Sequence, residues 1–226
     1  MKIIVGIGGV TNGGKTTLAN SLCKALPNCC VIHQDDFFKP QDQIAVGEDG
    51  FKQWDALESL DMEAMLGTVQ DWLHSPQKFA RAHGVCLQPD APDTHVLLLD
   101  GFLLYSYRPL LDLYSRRYFL TVPYEECKCR RSTHSYPISS TPELFDGHVW
   151  PMYQKYKQEM EAAGVDVVQL DGTRPREELF LQVLGDIHQL LLAARLPGQA
   201  EGTQRGSSPG MPTRQRAASH GVASSP

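Results

Sequence analysis

The chain has 226 residues, of which 42% are hydrophobic and 21% charged, and its formal net charge is −5. This composition is ordinary for a soluble globular protein and excludes an intrinsically disordered chain, while the mild acidity disfavours a general nucleic-acid binder, which needs a basic surface. No apolar run reaches about 18 residues, so we expect no membrane span. The six cysteines lack paired C-x-x-C spacing and no cleavage pattern follows the apolar segment 1–8, which favours a cytoplasmic protein with reduced thiols over a secreted or zinc-binding one.

Short apolar segments alternate with helical patterns along residues 1–196. Strands are predicted at Lys2–Gly8, Cys29–His33, His95–Leu99, Tyr118–Val122 and Val165–Leu170. Helices are predicted at Lys15–Leu26, Asp61–His74, 123–133, about 148–163 and 175–194. Because short apolar strands that alternate with helices form covered parallel sheets, the sequence predicts an α/β fold: a five-stranded parallel sheet with helices on both faces. The polar segment Pro76–Asp93 is predicted to be an excursion from this core.

The composition changes once, near Pro197. Residues 197–226 contain five Gly, four Pro and five Ser and no periodic apolar face. Such a segment cannot bury enough apolar surface to order itself. We therefore predict one domain at 1–196 and a disordered tail at 197–226.

The strongest motif begins where the first predicted strand ends. Residues 9–16 fit the pattern G-x-x-x-x-G-K-[ST] and lead into a predicted helix, the context that a phosphate-binding loop requires. Glycines let several backbone N–H groups point at phosphate oxygens, and the helix N-terminus adds partial positive charge. Lys15 would neutralise the β- and γ-phosphates and Thr16 would bind Mg²⁺. The predicted nucleotide contacts are Gly9, Val10, Thr11, Asn12, Gly13, Gly14, Lys15, Thr16 and Thr17.

Carboxylates after the next two strands narrow the class of protein. The chain has no N-K-x-D guanine signature, and it is too short for most motor ATPases, so a small-molecule kinase fits best. Asp35 and Asp36 follow the second strand and Asp100 follows the third. Ligands of open α/β sheets sit at these carboxyl ends. One of the first pair would meet the acceptor hydroxyl and Mg²⁺, and Asp100 would be a Walker-B-type carboxylate; the alternatives are turn or cap residues.

A basic helix end precedes a proline-containing loop. Lys128, Arg130 and Arg131 lie on the predicted helix, and the loop covers His134–Pro142. Cations that close over transferring phosphates stabilise the charge of the transition state, and a mobile cover excludes water. We predict a lid at about 128–142; the alternative is a solvated basic helix end.

Five stretches of the sequence resemble nicotinamide riboside kinases. They are the glycine loop with T-N-x-G-K-T-T, then H-Q-D-D-F-F-K-P, P-Y-E-E-C-K-x-R-R-S-T and F-D-G-H-V-W-P-M-Y, followed by L-D-G-T. The resemblance spans about residues 1–190. It implies a P-loop kinase of the nucleoside-kinase type that uses ATP and Mg²⁺ to phosphorylate the 5′-hydroxyl of nicotinamide riboside in NAD biosynthesis, with nicotinic acid riboside as an expected second substrate. Protein partners are unknown.

The resemblance also implies site residues. Asp35 would accept the proton and lie near Mg²⁺ with Thr16. A cationic pyridinium favours aromatic faces, and a cis-diol favours a carboxylate beside an arginine. The implied riboside contacts are Asp35, Asp36, Phe37, Phe38, Trp54, Asp55, Arg131, Tyr136 and Pro137. Of these, Trp54 would stack on the nicotinamide ring, and Asp55 and Arg131 would bind the ribose. The implied further ATP contacts are Arg130, His134, Thr173, Arg174 and Pro175.

Three positions depart from the family pattern. Asp100 replaces a glutamate, His134 replaces a lid arginine, and Cys129 replaces a basic residue. We expect retained binding and reduced turnover. The rival interpretations are a uridine- or pantothenate-type kinase on the same fold and a catalytically weakened nucleotide-binding scaffold.

Overall fold

A parallel sheet of five strands forms the centre of the molecule, in a computed structural model that describes residues 1–135 and 141–196. The strand order is β2-β3-β1-β4-β5, and every pairing is parallel. The strands are β1 (Lys2–Gly9), β2 (Cys29–His33), β3 (His95–Asp100), β4 (Arg116–Thr121) and β5 (Val168–Asp171). The predicted α/β fold is confirmed.

Helices cover both faces of the sheet. They are α1 (Lys15–Ala25), α2 (Met62–His74), α3 (Pro76–Ala82), α4 (Arg108–Leu111), α5 (Tyr124–Thr133), α6 (Pro142–Leu144), α7 (Trp150–Ala162) and α8 (Arg176–Arg195). Short 3₁₀ turns at Gln34–Phe37, Gln41–Gln43 and Leu57–Ser59 lie in the long connection between β2 and α2. A π-helical turn, Phe145–Val149, leads into α7.

The core divides into two layers because alternate residues of a strand point to opposite faces. On β1, Ile3 and Val5 pack with α1 and α8, whereas Ile4 packs with α2, α3 and Met160 of α7. Trp72 of α2 is completely buried in the second layer. Strands buried on both faces explain why the sequence there is apolar without alternation.

Among the differences from the prediction, two have a clear local cause. Pro76–Ala82 is helical rather than irregular, because Pro76 starts the helix and Phe79 and Ala80 are buried against α2. β5 begins at Val168, three residues later than predicted, because the N–H of Val165 bonds the Met160 carbonyl at the end of α7.

The tail at 197–226 and the lid segment 136–140, with Tyr136 and Pro137, lie outside the described residues. Within 1–135 and 141–196, no helix combines the length and apolar character needed to cross a membrane.

Candidate active site

The glycine loop connects β1 to α1 and has the backbone of a phosphate cradle. Gly9 has φ +133°, and a Cβ there would lie 2.2 Å from the Leu120 carbonyl oxygen, so only glycine fits this close approach. Gly14 has φ +92° and caps α1 in the left-handed region. Gly13 closes the turn by donating its N–H to the Val10 carbonyl at 3.2 Å. The fold thus turns the start of α1 toward the loop, as anion binding requires.

Lys15 reaches back over this loop. Its Nζ donates to the Val10 carbonyl at 2.6 Å. Desolvation by burial lowers the pKa of Lys15, while Asp35 and Asp100 raise it. The lysine is therefore held between a backbone acceptor and two carboxylates, at the place where a polyphosphate would enter. Thr16 and Thr17, at the start of α1, are exposed.

Asp35 and Asp100 lie at the carboxyl ends of adjacent strands. Asp35 is in the 3₁₀ turn that follows β2, and Asp100 ends β3 directly opposite His33 in the strand register. Asp35 is open to the cleft, yet desolvation by its walls raises its pKa, with Lys15 lowering it and Asp100 raising it. A carboxylate with a raised pKa beside a lysine is suited to accepting a proton.

Two polar contacts, one of them fully buried, hold these turns together, and sequence reasoning missed both. The Nδ1 of His33 lies 2.9 Å from each carboxylate oxygen of Asp100. Gln34 is completely buried, and its Oε1 accepts the Leu103 N–H at 2.9 Å. A Cβ on Gly101 would lie 2.3 Å from the same Oε1, so a glycine after Asp100 lets the two turns meet.

A cleft of about 1050 Å³ opens at this edge of the sheet. It is large enough for two substrates of ordinary size. The predicted site residues that line it are Thr11, Asn12, Gly13, Gly14, Lys15, Thr16, Thr17, Asp35, Phe38, Trp54, Asp55, Asp100, Arg130, Arg131, His134 and Arg174.

Other predicted residues lie beside the cleft rather than on its walls. Gly9 and Val10 are buried beneath the loop, and the lining does not include Asp36, Phe37, Thr173 or Pro175. Sequence reasoning did not find several residues that do line it: Ser21, Lys52, Phe102, Leu144, Gly172, Arg176, Leu179 and Phe180. Of these residues, Arg176 could have been predicted at the nucleotide end of the cleft, because it is a basic residue that begins α8 after the fifth strand.

One end of the cleft is aromatic and acidic. Phe38 packs edge-on against Trp54, with ring centroids 5.5 Å apart, and stacks on Phe102 at 5.9 Å. Asp55 follows Trp54, and burial raises its pKa, while His148 and Arg131 lower it. These side chains offer aromatic faces beside a carboxylate that interacts with an arginine.

Two basic residues of α5 contact different parts of the molecule. Arg130 donates to the Asn12 carbonyl at 3.3 Å and to the Gly172 carbonyl at 3.0 Å, so it joins the glycine loop to the turn after β5. Lys128 instead donates to Asp146 at 2.7 Å and does not line the cleft. The solvated alternative therefore describes Lys128, whereas Arg130 faces the nucleotide end.

The turn after β5 makes its own local contacts. Thr173 donates its N–H and its hydroxyl to Asp171. Arg174 donates to Glu178 at 3.0 Å and to Gln182 at 3.1 Å, along α8. These bonds order the turn and leave Arg174 at the rim of the cleft.

The oxygen donors in the cleft fit Mg²⁺. Thr16 offers a hydroxyl, and Asp35 and Asp100 offer carboxylates. Over the described ranges, no group of three or more His, Cys, Asp or Glu side chains could enclose a metal by itself. A few hard oxygen ligands, with phosphates and water completing the octahedron, are the usual arrangement for Mg²⁺ in kinases.

Comparison with known proteins gives the family. The chain is 80% identical over 192 residues to human nicotinamide riboside kinase 2, covering 85% of this chain and 84% of that protein. It is 76% identical to the mouse nicotinamide riboside kinase 2, covering 85% and 98%, and 54% identical to mouse nicotinamide riboside kinase 1, covering 84% and 96%. No protein-family model matches the chain. Identity at this level over most of both sequences shows that the chain belongs to the nicotinamide riboside kinase family.

Proposed function

We propose that this protein transfers the γ-phosphoryl group of ATP to the 5′-hydroxyl of nicotinamide riboside, giving the mononucleotide for NAD biosynthesis, and that it also accepts nicotinic acid riboside. The observation that carries the proposal is one cleft that joins the phosphate loop, through Asp35, to an aromatic and acidic end. Membership of the family supplies the substrate class.

The nucleotide end supplies charge and backbone donors to the phosphates. Lys15 neutralises the β- and γ-phosphates, and the backbone N–H groups of the loop cradle their oxygens. Arg130 bridges the loop and the turn after β5, which supports a role for its guanidinium in binding the phosphates. Thr16 and Asp35 would hold Mg²⁺, with Asp100 nearby. When bound, the ion neutralises the charge that develops on the phosphate oxygens.

Asp35 serves as the proton acceptor. Its raised pKa, caused first by desolvation, makes it a stronger base than an ordinary aspartate, and Lys15 keeps the ionised form populated. Accepting the hydroxyl proton as the oxygen attacks phosphorus would contribute about 10²- to 10⁴-fold in rate. The proton moves to the carboxylate, the new P–O bond forms, and ADP leaves with the electrons of the broken P–O bond.

The other end of the cleft recognises the riboside. The pyridinium of nicotinamide riboside is a cation, and the faces of Phe38 and Trp54 attract it. Asp55 and Arg131 bind the ribose hydroxyls, since a carboxylate accepts and a guanidinium donates. Tyr136 and Pro137, which lie outside the described residues, stay predicted riboside contacts.

A panel of ribosides tests the proposal. Purified protein with ATP and Mg²⁺ is given nicotinamide riboside, nicotinic acid riboside, uridine or pantothenate, and kcat/KM is measured for each. We expect the two pyridine ribosides to be preferred. Phosphorylation of uridine but not of nicotinamide riboside would assign the chain to the rival kinase class.

The matched control separates an enzyme from a scaffold. Asp35→Asn keeps the size and polarity of the side chain but cannot accept the proton, so kcat should fall by more than about a hundredfold. Wild-type turnover no faster than that of Asp35→Asn would support the weakened nucleotide-binding scaffold.

A further inference from the structure

A buried histidine bridges two carboxylates behind the aromatic end of the cleft. His148 lies in the π-helical turn Phe145–Val149 and is 1% exposed. Its Nδ1 is 2.9 Å from Oδ2 of Asp49, and its Nε2 is 3.5 Å from Oδ2 of Asp55. The imidazole therefore connects a residue on the cleft wall to one outside it.

The two ends of the imidazole differ in how well they are satisfied. Asp49 has further hydrogen-bond donors: it accepts the Phe51 N–H at 3.0 Å and a side-chain N–H of Gln53 at 3.0 Å. These bonds, the Phe51 N–H first, hold the pKa of Asp49 below the usual range. The Nε2 atom, in contrast, forms no hydrogen bond with any described residue. A buried ring nitrogen without a partner is costly unless a group moves to meet it. Asp55 is the carboxylate within reach.

The chain around this contact packs against the imidazole next to the cleft wall that carries Asp55. The segment from Asp49 to Asp55 folds back on itself, with the Gly47 N–H bonded to the Phe51 carbonyl at 2.9 Å. Phe51 lies against the imidazole, with centroids 6.3 Å apart. A Cβ on Gly147 would lie 3.2 Å from the Phe51 ring, so the glycine permits this approach. π-helical turns of this kind recur at functional sites.

We propose that His148 is a positioning residue for riboside recognition: as an imidazolium, in which both ring nitrogens are donors, it is anchored to Asp49 through Nδ1–H, directs Nε2–H at Asp55 and fixes the carboxylate that binds the ribose hydroxyls. The proposal rests on the ribose-binding function proposed above for Asp55. One oxygen of Asp55 faces His148, which leaves the other oxygen for the sugar. Histidine–carboxylate contacts behind a binding group commonly fix its orientation in this way.

Two conservative substitutions separate the two ends of the imidazole. In His148→Gln the side-chain amide N–H₂ reaches the place of Nε2, whereas in His148→Asn it reaches only the place of Nδ1. Steady-state KM and kcat are measured for nicotinamide riboside and for ATP. We expect His148→Asn to raise the riboside KM at least about tenfold with the ATP KM unchanged, and His148→Gln to stay within about threefold of wild type.

Controls keep this result specific. His95 is also buried, 5% exposed, but it begins β3 at the opposite end of the strand from Asp100, so His95→Gln reports the cost of losing a buried imidazole without a cleft partner. Melting temperatures with and without ATP show which variants fold. In an Asp55→Asn background, His148→Asn should raise the riboside KM by less than about twofold further, because the carboxylate it positions is gone.

The outcomes are distinguishable. Equal riboside KM values for wild type and His148→Asn, or equal losses in the Gln and Asn variants with the ATP KM changed in parallel, would overturn the positioning role while leaving the proposed function intact. A wild-type protein that does not phosphorylate nicotinamide riboside would instead overturn the proposed function itself.

Discussion

The imidazole of His33 lies between the two carboxylate oxygens of Asp100, with its Nδ1 2.9 Å from each. The two residues are partners in the register of neighbouring strands β2 and β3. Asp100 is 3% exposed, so its orientation is determined by this contact rather than by solvent. The contact therefore links the strand end that carries Asp35 to the carboxylate that takes the place of the family's glutamate.

Removing the imidazole should release Asp100. For His33→Phe we expect kcat to fall about tenfold or more and the apparent affinity for Mg²⁺ to weaken, because groups that orient a metal-site carboxylate typically contribute 10- to 100-fold. Activity measured against Mg²⁺ concentration checks this, with the exposed His188→Phe on α8 as the control. An unchanged Mg²⁺ dependence would show that the contact serves only the fold.

The pH dependence of the reaction should report Asp35. A base works only when ionised, so kcat/KM for the riboside falls as the pH drops through its pKa. In the metal-free cleft that pKa is raised, first by desolvation, so at limiting Mg²⁺ the acid limb should lie above the pH expected for an ordinary aspartate, whereas bound Mg²⁺ favours the ionised carboxylate and lowers it. A pH–rate profile measures it; Asp36→Asn should keep the limb and Asp35→Asn should lose it. A limb that survives in Asp35→Asn would assign the base to another group.

Alanine substitutions at the two positive-φ glycines of the loop should differ in their cost to stability. In Gly9→Ala the new Cβ would meet the Leu120 carbonyl oxygen at 2.2 Å, so we expect at least about 2 kcal/mol lower free energy of unfolding and loss of ATP binding. The Cβ of Gly14→Ala would meet no atom of the described residues within 4 Å, so in the unliganded protein only its positive φ, about 1 kcal/mol, opposes folding. Chemical denaturation and nucleotide titration measure both. Equal losses in the two variants would contradict the argument from close approach.

The two basic residues of α5 should separate by function. Arg130 joins the loop to the turn after β5, so Arg130→Met should raise the ATP KM about tenfold through loss of a charge-assisted contact. Lys128 pairs with Asp146 outside the cleft, so Lys128→Met should leave the ATP KM unchanged. Initial rates at varied ATP concentration measure both KM values. An equal rise in the ATP KM of the two variants would support the prediction that Lys128 belongs to the lid.

Restoring the family's lid arginine gives a gain-of-function test. His134 lines the nucleotide end of the cleft, and an arginine there carries a permanent charge and a fork of donors for phosphate. His134→Arg should therefore raise kcat. A kcat equal to that of wild type would place this residue outside the charge-stabilising set.

Local signals explain how much of the fold could be predicted. The predicted bounds of strand β2 match the observed ones, because a short apolar run that contains Val31 and Ile32 is bounded by turn-forming residues on both sides. The glycine loop was predictable because its chemistry is contiguous: turn, lysine and helix start follow one another in sequence. Asp35 and Asp100 were predictable because parallel strands end at one edge.

Contacts between distant segments explain what could not be predicted. His33, Gln34 and His148 act through partners on other elements, at sequence separations of 67, 69 and 99 residues. Glutamine is mostly exposed in proteins and histidine is intermediate, so no local pattern marks these contacts. The bond from the Thr173 hydroxyl to Asp171 is likewise formed only in the folded turn, and the contact of Thr173 with ATP stays a prediction.

Product identification tests the central claim most directly. The protein is incubated with ATP, Mg²⁺ and an equal mixture of nicotinamide riboside, nicotinic acid riboside and uridine, and the products are separated and examined by mass spectrometry and ³¹P NMR. The account predicts pyridine mononucleotides phosphorylated at the 5′ position, formed one for one with ADP and absent with Asp35→Asn. Uridine monophosphate alone, or ADP without any mononucleotide, would contradict it.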